Sequence, residues 1–190
     1  MKGETADRIL STARSLMTER GYSAFSYADI ADAIGITKAS IHFHYSTKAA
    51  LAVAVLRTHR QGLVKAMETL DTQFSNPALR LQTYVKYWEG CIRDRSIPFC
   101  VAALLAAELP SLPNEVQAEV RLHFQDLAAW IERTMEAGVR QGTIRLESST
   151  ESEAQLFMAA VHGAMLSARV SGNCEVFQLA TDATLKRITP

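Results

Sequence analysis

Cysteine is scarce in this sequence: Cys91, Cys100 and Cys174 are the only three among 190 residues. An odd number at wide spacing argues against a disulfide framework and against a zinc cluster. Long apolar runs are missing as well. No segment reaches about 18 uncharged apolar residues, as a membrane span would require. The opening "MKGETADRILSTARSL" interleaves charges with apolar residues, unlike the continuous apolar region of a signal peptide. These absences predict a cytoplasmic protein with no membrane partner. There is no low-complexity tract, and 48% hydrophobic residues predict a globular chain. No glycine-rich phosphate loop, nucleophile elbow or H-E-x-x-H helix occurs, so neither a cofactor nor the chemistry of those motifs is expected.

Net charge is the last absence, with 20 Lys/Arg against 20 Asp/Glu. The balance conceals a polarity. Residues 1–65 hold nine Lys/Arg against five Asp/Glu, and residues 66–190 hold eleven against fifteen, so the front third is +4 and the rest −4. A basic head on a neutral-to-acidic body suits a nucleic-acid partner.

What the sequence does contain is helix signals, with almost no strand alternation. Ile9, Leu10, Ala13, Leu16 and Met17 fall at helical spacing, and Gly21 is a natural stop. Ser26 with Asp29 approximates a capping box for a short second helix ending at Gly35. Thr37 caps a third through about His44, and Ser46-Thr47-Lys48 opens a long fourth through Leu51, Val55, Leu56, Leu63, Met67 and Leu70. Asn76-Pro77 starts a fifth that runs to about Asp94. Pro98 begins a short sixth, broken at Pro110 and Pro113. A seventh covers about Asn114 to Gln141. Thr150 with Glu153 reads as a T-x-x-E box for an eighth that ends near Gly172, and a ninth covers "CEVFQLATDATLKRI". The expected fold is all-α, about nine helices.

The two short helices joined by "GIT" match a helix-turn-helix. Gly35 supplies the tight turn, Ile36 wedges between the helices, and Ile41 is the inward anchor facing Ile30 and Ile34. Lys38, Ala39, Ser40, His42 and Phe43 then face outward. Lys38 and Lys48 can neutralise phosphates, Ala39 permits close approach to base edges, and Ser40 and His42 can hydrogen-bond to phosphate or bases. Phe43 offers apolar contact to a thymine methyl or the sugar-phosphate wall. Ser26 and Thr37, at helix N-termini, can orient N–H groups toward phosphates. His42 and His44, at i and i+2, point about 200° apart and are no metal pair by the i, i+4 rule of zinc helices.

"RGYSAFS" followed by "ADIADAIGITKASIHFHYSTKAAL" resembles the TetR family of bacterial transcriptional repressors over about residues 5–56. The pattern matched is I-A-x-x-x-G-(V/I)-(S/T)-(K/R)-(G/A)-(S/T)-(L/I)-Y-x-(H/Y)-F-x-(S/T/N)-K-x-x-L, with His42 standing where the family usually has Tyr. The resemblance implies a three-helix DNA-binding head, residues 1–48, on a helical bundle for effector sensing and dimerisation, residues 49–190. It implies DNA contacts at Ser26, Thr37, Lys38, Ala39, Ser40, His42, Phe43, His44 and Lys48, with Tyr45 packing the head against the fourth helix. It further implies a homodimer through the last two long helices, reading a palindromic double-stranded operator. The eighth helix fits this role, because "AQLFMAAVHGAMLSARV" has more small and apolar positions than one core stripe needs.

"FCVAALLAAELPSLPNEVQAEV" is similar to the G-C-L-x-x-x-L-(S/A)-(A/S)-E segment of a subgroup that includes the N-ethylmaleimide-responsive repressors, with Phe99 replacing the usual glycine. This resemblance implies that Cys100 senses electrophiles or oxidants. With Pro98 at N1, Cys100 would fall in the first helical turn, where the dipole, aided by Arg93 and Arg95, lowers a thiol's pKa; the alternative is a small buried hydrophobe. Trp88, Cys91, Phe124, Met158 and His162, with Trp130, Met135, Phe157 and Met165, would line an effector cavity or simply form core. The functional reading is a DNA-binding repressor released by an unknown small molecule or electrophile. A helical protein-interaction adaptor and a helical enzyme are the alternatives.

Overall fold

Capping side chains fix where the helices begin. In the computed structural model, which describes residues 2–97 and 99–190, helices joined by short turns and loops make up the chain, and no strand occurs among the described residues. Among the described residues nine α-helices follow in order: α1 Lys2–Arg20, α2 Tyr27–Ile34, α3 Lys38–His44, α4 Lys48–Gln73, α5 Pro77–Arg93, α6 Val101–Ala107, α7 Asn114–Gln141, α8 Thr150–Ser171 and α9 Cys174–Ile188. A 3-10 turn at Leu109–Ser111 separates α6 from α7. The cap of α2 is reciprocal: Ser26 Oγ accepts from the Ala28 and Asp29 N–H groups, and Asp29 accepts from the Ser26 N–H at 2.7 Å. Thr37 Oγ1 caps α3 by accepting from the Ser40 N–H, and Asn76 Oδ1 caps α5, with Pro77 in its first turn.

Two starts differ from the sequence expectation. Ser149, not Thr150, is the N-cap of α8, its Oγ accepting from the Ser152 N–H at 3.2 Å. The Glu153 carboxylate that would have completed a Thr150 box is taken instead by Arg187 of α9 and by Ser148 Oγ. A charged partner outbids a backbone N–H for a buried carboxylate. The sixth helix starts at Val101 with Cys100 as its N-cap, so Cys100 stands just outside the first turn. Pro98 itself lies outside the described residues.

The chain divides into two compact units. The first takes the residues up to Gln61 together with Cys100–His123; the second takes Gly62–Phe99 and Phe124–Pro190. Within the first, α1 packs on α2 and α6, and α2 on α3. Ile9, Met17, Ile30, Ile41, Leu51 and Leu105 are wholly buried there. Within the second, α8 and α9 pair along their lengths and α5 packs on both. Trp130, Phe157 and Phe177 are its largest fully buried side chains. No helix among the described residues is long and apolar enough to cross a membrane.

Candidate nucleic-acid interface and sensing core

The turn between α2 and α3 is set by Gly35, which adopts a left-handed φ of 68° while the Ile36 N–H closes onto Ala31 O at 3.1 Å. A residue with a Cβ would be strained at this φ. Ile41 is fully buried, as an inward anchor requires. Tyr27 Oη donates to Tyr45 O at 2.8 Å, tying the start of α2 to the end of α3. Arg8 of α1 donates to Ile34 O at 2.8 Å, closing the three-helix unit.

This packing leaves one side of α3 in solvent. Lys38, Ala39, His42 and Phe43 are exposed, Phe43 most of all at 70%. Ser40 and His44 are half-buried, and Ser40 Oγ lies 3.0 Å from Thr37 Oγ1. His42 sits with its ring edge-on to Tyr27, centroids 4.7 Å apart, and its Nδ1 is 3.2 Å from Ser46 O. Ser26 is exposed beside the N-terminus of α2. Lys48, at the start of α4, is half-buried. Its Nζ lies over the rings of Tyr22 and Phe25, 4.7 and 4.5 Å from their centroids, and burial lowers its pKa.

A second contact holds this surface in place. Glu108, the C-cap of α6, accepts from the Tyr22 N–H at 2.8 Å, the Ser23 N–H at 3.1 Å and Ser23 Oγ at 2.8 Å. Gly21 makes the approach possible, because a Cβ there would fall 1.9 Å from Glu108 Oε1. Nothing in the sequence flags this strap, since its partners lie 85 and 86 residues apart. Hydrogen bonds to a charged group contribute about 1.5–3 kcal/mol when sheltered. With Glu108 half-buried, Glu108→Ala is expected to destabilise the protein by about 2 kcal/mol, lowering Tm by about 4–8 °C. Differential scanning calorimetry checks this; an unchanged Tm would mean that water replaces the carboxylate without loss.

Cys100 is buried, and so are its surroundings. Burial pushes its thiol up to about 11, outweighing the Ala103 and Ala102 N–H groups and the Arg14 charge, which act downward. The first-turn thiolate expected from the sequence is therefore reversed in direction. Two histidines that the sequence reading did not single out converge on the sulfur. His59 Nε2 of α4 is 3.6 Å from Sγ, His123 Nε2 of α7 is 3.8 Å from it, and the two rings stack with centroids 4.9 Å apart. Burial first, then the Arg14 charge, depresses His59 to about 4, so its ring is neutral at neutral pH. Their signal was weak: separations of 41 and 23 residues match no ligand motif.

The other residues expected to line a cavity or form core lie in the second unit. Trp88, Cys91, Trp130, Met135, Phe157 and Met165 are buried, and Phe124, Met158 and His162 half-buried. Trp130 Nε1 donates to Asp71 at 3.2 Å and so belongs to a satisfied core. Trp88 Nε1 and His162 Nε2 are different, because neither buried nitrogen has a hydrogen-bond partner among the described residues. His162 Nδ1 lies 3.0 Å from Met158 O, and burial lowers the ring's pKa. A carbonyl only accepts, so Nδ1 carries the proton and Nε2 presents a bare lone pair. Among the described residues of the second unit, Trp88 thus offers an unmet donor and His162 an unmet acceptor. Phe124 packs its ring on His162 with centroids 5.2 Å apart.

Comparison with known proteins matches residues 9–55 to the model of bacterial regulatory proteins of the tetR family, and residues 77–184 to a Tetracyclin repressor-like C-terminal domain. The HTH-type transcriptional repressor DhaR of Mycobacterium sp. (strain GP1) is 25% identical, covering 88% of this chain and 83% of its own. The HTH-type transcriptional repressor NemR of Escherichia coli (strain K12) is 20% identical over 93% of this chain and 90% of its own. Among solved structures, a transcriptional regulator of the TetR family from Agrobacterium tumefaciens is 44% identical with all of both chains covered and a TM-score of 0.98. The reduced form of E. coli NemR shares the fold, with a TM-score of 0.83 at 21% identity and 98% of both chains covered.

Proposed function

The chain belongs to the TetR family and is a DNA-binding transcriptional regulator, and from that premise we propose a cytoplasmic homodimeric repressor that leaves a palindromic operator when its body takes up an effector. Residues 1–48 serve as the DNA-binding head and 49–190 as the sensing and dimerisation part. The observation that carries the DNA contact is the exposed face of α3, with Lys38, Ala39 and Phe43 open to solvent beside a fully buried Ile41. Such a helix enters a major groove with its small residue toward the bases and its cation toward a phosphate. Thr37 and Ser26 at the helix N-termini, Ser40, His42, His44 and Lys48 complete the proposed contact set.

Dimerisation is supported by an unpaired face. Leu156, Leu166 and Val170 on α8 and Leu179 on α9 are exposed, at 51, 54, 83 and 76%. Leu156, Gly163, Leu166 and Val170 recur at spacings of seven, three and four residues and so share one stripe of α8. A second copy of the same helix pair would cover it as a four-helix bundle.

For release, the effector must bind the non-DNA-binding state more tightly, because equal affinity shifts nothing. The unmet donor at Trp88 and acceptor at His162 favour a small molecule that carries both polarities, with Cys91, Phe124 and Met158 as apolar contacts. Cys100 offers a second input. It caps one end of α6 while Glu108 at the other end holds the head, so a change at the thiol is one short helix from the Tyr22–Ser23 turn.

The test is selection of duplexes from a random pool followed by mobility shift with Lys38→Ala and Phe43→Ala. Selection of a dyad-symmetric site is expected. Lys38→Ala is expected to weaken binding uniformly across sequences and lower the salt slope by about one. Phe43→Ala is expected to cost about 1–3 kcal/mol, roughly 5- to 150-fold, at one base position of each half-site. Recovery of no sequence above background would refute the reading.

A further inference from the structure

The site around Cys100 contains more ligating capacity than a buried thiol uses. One thiol has one proton to donate, whereas two imidazole Nε2 atoms approach its sulfur at 3.6 and 3.8 Å. The three donor atoms lie within 4.8 Å of one another. They come from three elements: His59 from α4, Cys100 from the N-cap of α6 and His123 from α7, all in the first compact unit.

The distances can be compared with those a metal demands. Zinc holds cysteine sulfur at about 2.3 Å and histidine nitrogen at about 2.0–2.1 Å in a tetrahedron, which separates sulfur from nitrogen by roughly 3.6 Å. Both sulfur–nitrogen edges already stand within about 0.2 Å of that value. The nitrogen–nitrogen edge would be about 3.4 Å in the same tetrahedron, so rotation of the stacked rings must supply any remaining closure. One thiolate with two neutral imidazoles is a borderline-to-soft donor set, suited to zinc and unsuited to magnesium or calcium.

We infer that His59, Cys100 and His123 form a binding site for a zinc-class cation, three protein ligands with the fourth position open to water or to a small ligand. Binding releases the thiol proton to solvent while both imidazoles donate lone pairs, so no electron is transferred and a chelator reverses it. A divalent ion with one thiolate leaves a local charge of +1, against which the neighbouring Arg14 works. An ion here would pin the start of α6 to α4 and α7, about 12 Å along the helix from the Glu108 strap. Only this link to operator binding rests on the DNA-binding reading; the site does not.

The experiment is cobalt(II) titration of the full-length reduced protein, read by absorption. A thiolate-to-cobalt charge-transfer band with tetrahedral-type visible bands is expected, displaced by stoichiometric zinc and untouched by excess magnesium. Cys100→Ser is expected to abolish the band, and His59→Ala and His123→Ala each to weaken zinc binding by more than about 100-fold, beyond the 10–100-fold typical of lost outer-shell partners. The Cys91→Ser/Cys174→Ser variant is expected to keep it. Because ligand variants can disturb the core, the native protein provides a second readout: zinc is expected to raise its Tm with increasing concentration, and EDTA to reverse the rise. Absence of the band, its survival in Cys100→Ser, or a Tm that ignores zinc would each overturn the site.

Discussion

Replacing Leu166 by Glu is expected to leave the chain monomeric and to abolish operator binding at concentrations where the native protein saturates its site. Leu166 lies centrally on the exposed stripe of α8, between Gly163 and Val170, so in a symmetric pair its side chain would meet its own copy or a near neighbour. Two carboxylates brought together there lose water without gaining a partner, a penalty of several kcal/mol. At 1.4 kcal/mol per tenfold, dimer association should weaken by about 100-fold or more. Folding should survive, because Leu166 is half exposed in the single chain and gains solubility as Glu. Sedimentation and circular dichroism separate the two effects. A folded Leu166→Glu that still sediments as a dimer would mean that another face joins the copies.

Arg187→Met is expected to cost about 3 kcal/mol of folding stability at neutral pH. Glu153 is only 2% exposed, and Arg187 reaches it with both guanidinium nitrogens, Nη1 at 3.1 Å. Removing the cation leaves a buried carboxylate with Ser148 Oγ, at 3.0 Å, as its remaining side-chain donor. Breaking such a pair from one side typically costs about 3–5 kcal/mol. The pH dependence follows from the same contact. The Arg187 hydrogen bond, more than any other influence, holds the Glu153 carboxyl below its ordinary value of 4.5. A depressed carboxyl stabilises the fold above that value, and the contribution fades as pH falls through the folded pKa. The deficit of Arg187→Met should therefore be largest above pH 4.5 and shrink in acid, where Glu153 takes a proton. Urea unfolding at neutral and acidic pH measures it. A deficit independent of pH would assign the loss to packing, and Arg187→Met/Glu153→Gln should recover much of the stability if the charge is the cause.

Most of the fold is legible in the sequence because its helix boundaries are written in local chemistry. Ser26 with Asp29, Thr37, Asn76-Pro77, Gly35 and Gly172 act within one turn of their own positions, and each stands at the boundary its type predicts. The eighth helix shows where local reading ends. Ser149 and Thr150 are both competent caps, and the choice rests with Arg187, which claims Glu153 from 34 residues away. Cys100 shows the same limit in electrostatics. An N-terminal helix position argues for a lowered thiol, but complete burial, which arises only in the folded chain, reverses the direction.

The site is legible to a similar depth. The exposed face of α3 follows from the turn glycine and one buried isoleucine, and Phe43 and Lys38 are open to solvent as that logic requires. The ring contacts of Lys48 could not be read from its surroundings, because Tyr22 and Phe25 belong to the α1–α2 loop and leave no trace in its own helix. The Glu108 strap and the His59–Cys100–His123 cluster are products of tertiary packing alone. Each joins segments that no spacing rule connects.

The proposed function turns on two copies of this chain reading one dyad-symmetric duplex through α3. Native mass spectrometry of the protein with the duplex it selects, at rising salt, tests it most directly. The account predicts an even number of chains on each site, symmetric protection of the two half-sites, and affinity that falls linearly on a log–log plot against salt. A single chain on an asymmetric site, or retention on DNA of any sequence with equal affinity, would contradict it.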